Sequence, residues 1–566
     1  MKCRWSIASP QPMLARPLVE GLPVSALLAQ CLVNRGLTEQ TRAAEFLQPR
    51  LKQLSDPFLL PNLDVAVERL FLARTRGEPL VIFGDYDVDG VTSTALLTEV
   101  LSALGWRVNQ YLPHRLDEGY GLSQDAVENC LERFPVKLLV AVDCGSTATG
   151  TIDWLRHREV DVIVLDHHQV SDPPPLATAL VNPTFKELCS VGLAFKLAHA
   201  LVKRGRETGL PAAQGFDLRP LLDLVALGTV ADLVPLTGEN RILVATGLQR
   251  LNATQRPGLI ALKAVAGVKG PIGVYEVGFQ LGPRLNAAGR LETATEALNL
   301  LLAKNLAEAD PLARDLDARN RERQRIERQI AEQVIGAVRA KFKAETDYVI
   351  VEGQLLWHIG VVGIVASRVL REFHRPTVIL GGEGNEWRGS GRSIEGFDLA
   401  AALRDCDDLL VRHGGHAMAA GLSINPANLD ALRCRLNELA RRRLTREQLQ
   451  PLLRLDAEVH LSELTLECLE DLQRLEPIGQ GNPPVQLVAR KVRLQRPPQR
   501  MGLDQQHAKL RISDGAIGCE VVCWNWKNEA LPAGDFDLAF APQINEYNGS
   551  RSPQLKLLDW QSAGWT

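Results

Sequence analysis

The sequence predicts a soluble, multidomain α/β protein. A parallel-sheet domain comes first, then a long connecting helix, a second and smaller α/β domain, and a small C-terminal β-barrel. Three observations carry this. Short apolar runs alternate with helical stretches from residue 79 to about 205 and again from about 347 to 443, the pattern of βαβ units. Between them lies LARDLDARNRERQRIERQIAEQVIGAVRAKF, dense in both signs of charge. Beyond them the chain breaks into short strand-like segments. At 566 residues it is also too long for one core, since single cores stop growing at roughly 250–300 residues.

In chain order, residues 1–75 read as a helical and loop extension with no chemistry of its own, although LTEQTRAAEFLQPRL has the form of a capped amphipathic helix. Residues 76–310 form the first α/β domain. Its strands are PLVIFGDYD, RVNQYLPHR, KLLVAVDCG and VDVIVLDHH, separated by helices such as VTSTALLTEVLSALG and SQDAVENCLERF. Residues 311–345 are the connecting helix, whose mixed charge suits a solvated bridge between two bodies. Residues 346–445 form the second α/β domain, with strands DYVIVEG and PTVILGG. LEPIGQGNPP, residues 475–484, packs proline and glycine into a turn-rich joint. Within residues 453–562, KVRLQ, HAKLRISDG, GCEVVCW, FDLAFAPQINEY and QLKLLDW alternate as strands do, and a barrel of the OB type follows.

Composition narrows the function classes. Hydrophobic residues make up 45% and charged residues 23%, ordinary globular values that leave no room for a disordered tail or a repeat array. The N-terminal MKCRWSIASPQPMLARPL lacks a signal-peptide core, and no stretch reaches about 18 apolar residues, so a cytoplasmic location and no membrane are expected. Ten cysteines without CxxC spacing read as reduced, buried thiols rather than disulfides or a zinc site. A net charge of -3 gives no global pull toward nucleic acid, so any such binding must come from local patches.

The chemistry lies at the strand ends. The first run finishes in Asp85, Asp87 and Asp89, the second in His114 and Arg115, the third in Asp143, the fourth in Asp166, His167 and His168. In an open parallel sheet the carboxyl ends of strands share one edge, where ligands bind. Taken alone, Asp89 before Gly90, or Asp166, reads as a helix cap; four coincident endings favour a shared site instead. Carboxylates gathered this way need a cation, because burying unpaired charge costs several kcal/mol or more. Oxygen and imidazole donors without thiolates favour Mn²⁺ or Mg²⁺, and five or more donors suit two ions. Such a pair is suited to phosphodiester hydrolysis. Cys144 beside Asp143 reads as a small apolar filler.

DYDVDG, VDCG, LDHH and GTVADLVPL are similar, in that order, to the motifs of the DHH phosphoesterase superfamily. Together with PRLNAAGR (283–290), WHIGVVGIVASR (357–368), GSGRS (389–393) and GGHAMAAG (414–421), the chain resembles the RecJ family of single-strand-specific DNA exonucleases from about residue 79 to its end. The resemblance implies a parallel-sheet DHH catalytic domain, and a DHHA1 domain that covers the metal cleft and holds nucleic acid. It implies Asp85, Asp87, Asp89, Asp143, His167 and Asp232 as metal residues, and Asp87, Asp89, Asp143, His167 and His168 as catalytic. Asp232 rests on the resemblance alone, since by its neighbours it is a polar residue ending a helix. Substrate contacts are implied for His114, Arg115, Arg284, Asn286, Arg290, Ser390, Arg392 and His416. Arg115, Arg290, Ser390 and Arg392 would grip a 5′ phosphate, a task that suits the arginine fork and glycine-rich backbone. His358 and His413 read equally well as substrate contacts or as structural histidines.

The resemblance further implies 5′ to 3′ polarity, mononucleotide products and a monomer working in recombination and repair, with single-strand-binding protein and a helicase as partners. In the OB-type module, Trp524, Trp526, Tyr547, Lys491, Arg493, Lys509, Arg511 and Arg551 are candidates for gripping a bare strand. Two alternatives stand beside this reading: a phosphoesterase for short oligonucleotides or cyclic dinucleotides, and a non-catalytic single-strand-binding scaffold. Ser190-Val191-Gly192 departs from the more glycine-rich turn common in the family, and Phe83 and Val88 flank the first acids without donors.

Overall fold

The computed structural model describes residues 2–114, 118, 121–183, 188–291, 293–382, 384–526, 534–547 and 549–564, with the backbone alone for Arg290 and Leu291. It divides into two compact units. The first comprises Glu45–Arg323 and Leu475–Pro483; the second comprises Met1–Ala44, Gln324–Arg474 and Pro484–Thr566. The strands in chain order are β1 (Arg4–Ile7), β2 (Leu80–Gly84), β3 (Val108–Tyr111), β4 (Leu138–Val142), β5 (Asp161–Leu165), β6 (Ala179–Val181), β7 (Ile350–Leu355), β8 (Thr377–Gly382) and β9 (Trp387–Arg392). They continue with β10 (Leu410–His416), β11 (Ala419–Ile424), β12 (Leu452–Leu455), β13 (Ala457–Glu458), β14 (Leu487–Met501), β15 (His507–Ser513), β16 (Gly518–Cys523), β17 (Phe536–Tyr547) and β18 (Ser550–Ser562).

In the first unit β2–β6 form a parallel sheet in the order β3-β2-β4-β5-β6. β2 and β4 are buried along their whole length, which is why VIFG and LLVAV are continuous apolar runs rather than alternating ones. Their register runs from Leu80 opposite Leu138 to Gly84 opposite Val142, so the residues after Gly84 and Val142 emerge side by side. The chain passes from β2 outward to β3, then returns to place β4 on the other flank of β2. That reversal is the switch point at which doubly wound sheets open a crevice. β6 is a short fifth strand that the sequence reading did not anticipate. Helices Val88–Ala103, Ser190–Glu207 and Leu222–Ala231 pack against one another, and the last is buried on nearly every side, as its LDLVALGTVA composition requires.

The LEPIGQGNPP joint is anchored rather than loose. Arg241, buried in the first unit, donates to the carbonyls of Leu475 (2.9 Å), Glu476 (2.8 Å) and Phe46 (2.8 Å) and stacks its guanidinium 3.7 Å over the Phe46 ring. The helix Leu306–Lys341 also differs from expectation. Rather than being solvated all round, it buries Ala309, Ala313 and Leu316 in one stretch and Ile330, Val334 and Val338 in another, and between them it also buries the charged Asp317, Arg323 and Glu327.

In the second unit, β7–β11 form a sheet in the order β10-β11-β9-β8-β7, parallel only between β7 and β8. One face, carrying Val378, Leu380, Ala420 and Leu422, packs on helices Leu399–Arg404 and Leu429–Arg443. The helix Val362–Phe373 covers the other face along β8 and β9. β14–β18 close a barrel, since β14 pairs with both β15 and β17, and the two-residue β13 pairs in parallel with β14. Part of the N-terminal extension serves this module: β1 pairs in parallel with β12, Trp5 packs on Leu455, Val488 and Ala539, and its indole N–H donates to Asp559 at 2.9 Å. Among the described residues no helix is long and apolar enough to cross a membrane.

Candidate metal centre and phosphate-binding face

The strand-end acids converge in the first unit, at the switch point between β2 and β4. His167 Nε2 lies 3.4 Å from Asp143 Oδ1, 3.4 Å from Asp232 Oδ2 and 3.8 Å from Asp89 Oδ2. The donors fall into two groups that share no residue, Asp85–Asp87–Asp143 and Asp89–His167–Asp232, each with its ligand atoms within 4.8 Å of one another. A third, Asp143–His167–His168, overlaps both. Asp232 closes the helix Leu222–Ala231 and arrives by packing rather than from a strand end, which is why only the family resemblance pointed to it.

Local backbone chemistry sets each acid. Asp87, not Asp89, caps the helix Val88–Ala103: its Oδ1 accepts the Asp89 and Gly90 N–H groups at 2.9 and 3.1 Å. Gly90 is required by close approach, since a Cβ there would meet the Asp85 backbone at 2.5 Å. Asp89 instead points into the sheet edge, where both its oxygens accept backbone N–H groups, from Ser190 at 2.7 Å and Val191 at 2.8 Å. Asp143 has φ +64°, a left-handed conformation costly for most side chains and tolerated best by Asp and Asn; such strain gathers at functional sites. Asp166 is no helix cap. It accepts from Ser146 N (3.0 Å) and holds His168 through Nδ1 (2.8 Å), so it orients a histidine of the cluster. Cys144 is buried beside Phe83, Ala141 and Val164, the filler expected of it.

The electrostatics ask for a cation. Burial and then the Asp87 charge push Asp89 up to about 7, despite its two backbone donors. Burial, followed by Asp89 and Asp87, pushes Asp232 up to about 9. Asp143 is raised well above the carboxylate range by burial and by the charges of Asp87, Asp89, Asp85 and Asp232. Among the described residues Asp232 Oδ2 is buried and accepts no hydrogen bond. Burial opposes ionisation of Asp166 as well, but its bonds to His168 outweigh this and hold it low, while the same pairing raises His168. Carboxylate and imidazole donors fit Mn²⁺ or Mg²⁺; of the two nearby thiols, Cys144 is turned into the core, and Cys189, beside Asp89, donates to Thr229 at 3.4 Å and is pushed well up by burial.

The proposed substrate residues of the first unit divide. Asn286 and Gly289, on the helix Gly282–Leu291, hold the first acidic loop. The Asn286 amide oxygen accepts from Val88 N at 3.1 Å, and a Cβ at Gly289 would meet Tyr86 O at 2.7 Å. Arg284 does not join the acids; it is spent on Asp317 (2.9 Å) and the Gln280 carbonyl (2.6 Å). The His114 backbone N–H donates to Glu118 at 2.6 Å. Arg115 and the Arg290 side chain lie outside the described residues.

In the second unit Ser390, Arg392 and His416 share one sheet face. Arg392 pairs with Ala419, which pairs with His416, and Ser390 pairs with Gly421, which pairs with Gly414. Arg392 Nη1 donates to Ser390 Oγ at 2.8 Å. Both touch the first turn of the helix Val362–Phe373, for a Cβ at Gly363 would lie 3.0 Å from Ser390 Oγ and 3.1 Å from Arg392 Nη2. A helix N-terminus, a hydroxyl and a guanidinium together suit an anion. Burial alone lowers Arg392, and no acid among the described residues counters it. The same row places Arg388 and Arg412 beside an open cavity of about 380 Å³ floored by Gly414 and Gly421. Neither arginine was singled out in the sequence, although Arg388 is in phase with Ser390 and Arg392 at the strand period of two. His413, on β10, pairs with Asp407 just before that strand (3.1 Å), and His358 Nδ1 accepts from Gly360 N within its own loop (3.1 Å), so both are engaged locally.

The fold and site together define a DHH phosphoesterase with a DHHA1 domain, and the comparisons agree. Family models match the DHH family N-terminal domain over residues 79–229, the DHHA1 domain over 346–442 and the RecJ OB domain over 455–559. Two relatives named single-stranded-DNA-specific exonuclease RecJ are similar over nearly the whole chain. The one from Dickeya dadantii is 37% identical over 96% of this chain and 97% of its own, and the one from Bacillus subtilis 36% identical over 100% and 71%. The crystal structure of RecJ in complex with Mn²⁺ from Thermus thermophilus superposes with a TM-score of 0.85 at 31% identity, covering 99% of this chain and 80% of that one; the same protein with Mg²⁺ gives 0.78 at 30%, covering 99% and 79%. The chain belongs to the RecJ family.

Proposed function

We propose that this protein is a metal-dependent 5′ to 3′ exonuclease that degrades single-stranded DNA to mononucleotides. The observation that carries this is the convergence of Asp85, Asp87, Asp89, Asp143, His167, His168 and Asp232 from separate elements on one sheet edge. The two donor groups without a shared member would hold two ions, Mn²⁺ or Mg²⁺. Bound ions of this kind supply Lewis acidity to the phosphodiester and its attacking water. Around them Asp87 pins the loop through its helix cap, Asp166 fixes the His168 ring, and Asn286 secures the backbone between Asp87 and Asp89. Ser390, Arg392 and His416, in this reading, bind the terminal 5′ phosphate and the phosphate to be cut, with Arg115 and Arg290. The barrel would bind the strand on the 3′ side of the cut. The setting is cytoplasmic DNA recombination and repair, as a monomer, with a helicase to unwind and single-strand-binding protein to present the substrate.

The test is incubation of the purified protein and Mn²⁺ with a long single strand, the matched duplex and a dinucleotide, wild type beside Asp143→Ala. Release of mononucleotides from the long strand alone, lost in the variant, is the expected result. Cleavage of only the dinucleotide would overturn the reading in favour of a small-substrate phosphoesterase. Strand binding without metal-dependent cleavage would leave a scaffold.

A further inference from the structure

Ser190 was visible in the sequence only as a departure from a glycine-rich turn; the structure gives it work. It is the first residue of the helix Ser190–Glu207, fully buried at 0% exposure, and it touches two acids of the centre at once. Its backbone N–H donates to Asp89 Oδ2 at 2.7 Å, and its Oγ donates to Asp143 Oδ1 at 3.1 Å. The next N–H, of Val191, takes the other Asp89 oxygen at 2.8 Å. The two acids belong to different donor groups and follow different strands, β2 and β4.

We propose that Ser190 is a positioning residue of the metal centre, one whose hydroxyl sets the Asp143 carboxylate and couples it to Asp89 across the switch point. This rests on the reading of the cluster as a metal centre. Asp143 needs such a tether more than its neighbours do. Its backbone is in the left-handed region, so its side-chain direction follows from an uncommon conformation, and the groups around it are chiefly like charges. A glycine at position 190 would keep the N–H bond to Asp89 and lose the one to Asp143. The serine therefore adds a contact that a glycine turn does not offer. Partners of this kind behind a ligand shape metal affinity, typically by 10–100-fold when removed.

The test measures Mn²⁺ binding directly, by electron paramagnetic resonance of the free ion titrated into metal-free full-length protein. Wild type, Ser190→Ala, Ser190→Gly, Ser190→Thr and Asp143→Ala are compared, with the thermal midpoint of each metal-free protein measured alongside. Expected is a loss of about tenfold or more in Mn²⁺ affinity for Ser190→Ala and Ser190→Gly, recovery in Ser190→Thr, and unchanged metal-free midpoints. KM for the single strand should hold while the Mn²⁺ concentration giving half-maximal rate rises. Equal Mn²⁺ affinity in wild type and Ser190→Ala overturns the proposal and leaves the metal centre standing. Absence of Mn²⁺ binding in wild type overturns both. A metal-free midpoint lowered in Ser190→Ala, with no recovery of affinity by Ser190→Thr, assigns the hydroxyl to packing and also overturns it.

Discussion

The two charged regions of this molecule gather like charges in opposite ways. At the switch point of the first unit, Asp89 and Asp143 are each 1% exposed and cannot ionise together. On the open sheet face of the second unit, Arg388 and Arg412 stand in solvent over a glycine floor, Arg412 with Glu386 no nearer than 4.0 Å, and Arg392 is partly sheltered with no acid among the described residues to answer it. Burial makes the first region incomplete until a cation enters. Accessibility lets the second stay charged and wait for an anion. The difference separates a site built for chemistry from one built for grip.

The contrast breaks most sharply at Asp143. Asp143→Asn keeps a side chain that tolerates the left-handed backbone and removes only the charge, so the fold should stand while activity falls by about 10³-fold, the upper range for losing one group that meets developing charge. Mn²⁺ binding by titration and turnover of a labelled single strand check it. Retained Mn²⁺ affinity would place the essential charge elsewhere in the cluster. Arg392→Ala probes the other region. Losing a charge-assisted contact worth about 1.5–3 kcal/mol should raise KM by roughly 10–100-fold, with kcat much less affected, and should erase any preference for a 5′-phosphorylated over a 5′-hydroxyl strand. Loss of kcat at unchanged KM would move Arg392 from grip to chemistry.

A smaller effect distinguishes the regions by pH. Asp89 and Asp232 have folded pKa values of about 7 and 9, above those of the unfolded chain, so the folded metal-free protein holds protons that the unfolded chain releases. Their stabilisation is complete below about pH 4 and fades as pH rises through 7 for Asp89 and 9 for Asp232. Scanning calorimetry in a chelator should show the first unit melting at lower temperature from pH 5 to pH 9, by about 2–4 °C for each kcal/mol lost, with Mn²⁺ restoring most at the high end. A flat profile in chelator would mean the acids are solvated in a way their burial does not suggest.

The sheet, its strand ends and most of the cluster were legible because each acid ends an apolar run, and a parallel sheet forces such ends together. What escaped was set by tertiary partners. Asp232 ends a helix, and nothing local says that the helix points its end at the metals. Asn286 looked like a substrate contact, yet its acceptor serves Val88, and Arg284 looked like a grip, yet Asp317 lies across from it. An arginine's neighbours in sequence do not reveal whether a carboxylate waits one helix away. Ser190 stood out only as an odd residue in a turn, since its two partners come from strands about 50 and 100 positions earlier. β6 is three residues long, too short for alternation to mark it.

The same rule lowers the rank of three of the barrel's five basic candidates. Arg493 is paired with Asp535, Lys509 with Glu520 at 2.8 Å, and Arg551 with Glu470 and Glu546. Each pair is exposed enough to be worth little to stability, but it brings no net charge to a phosphate. Arg493→Ala should therefore change single-strand affinity by less than about twofold at moderate salt and leave the slope of log affinity against log salt unaltered, where a phosphate contact would reduce it by roughly one. Trp524, half-exposed and edge-on to His507 at 4.8 Å between ring centroids, is the better lever in this module. Its replacement by alanine should exceed the Arg493 effect if the barrel holds bases by stacking, at about 1–3 kcal/mol per stacked base. If Arg493→Ala instead lowers the salt slope, the Asp535 pair opens on binding and the barrel belongs with the open sheet face as an anion-gripping surface.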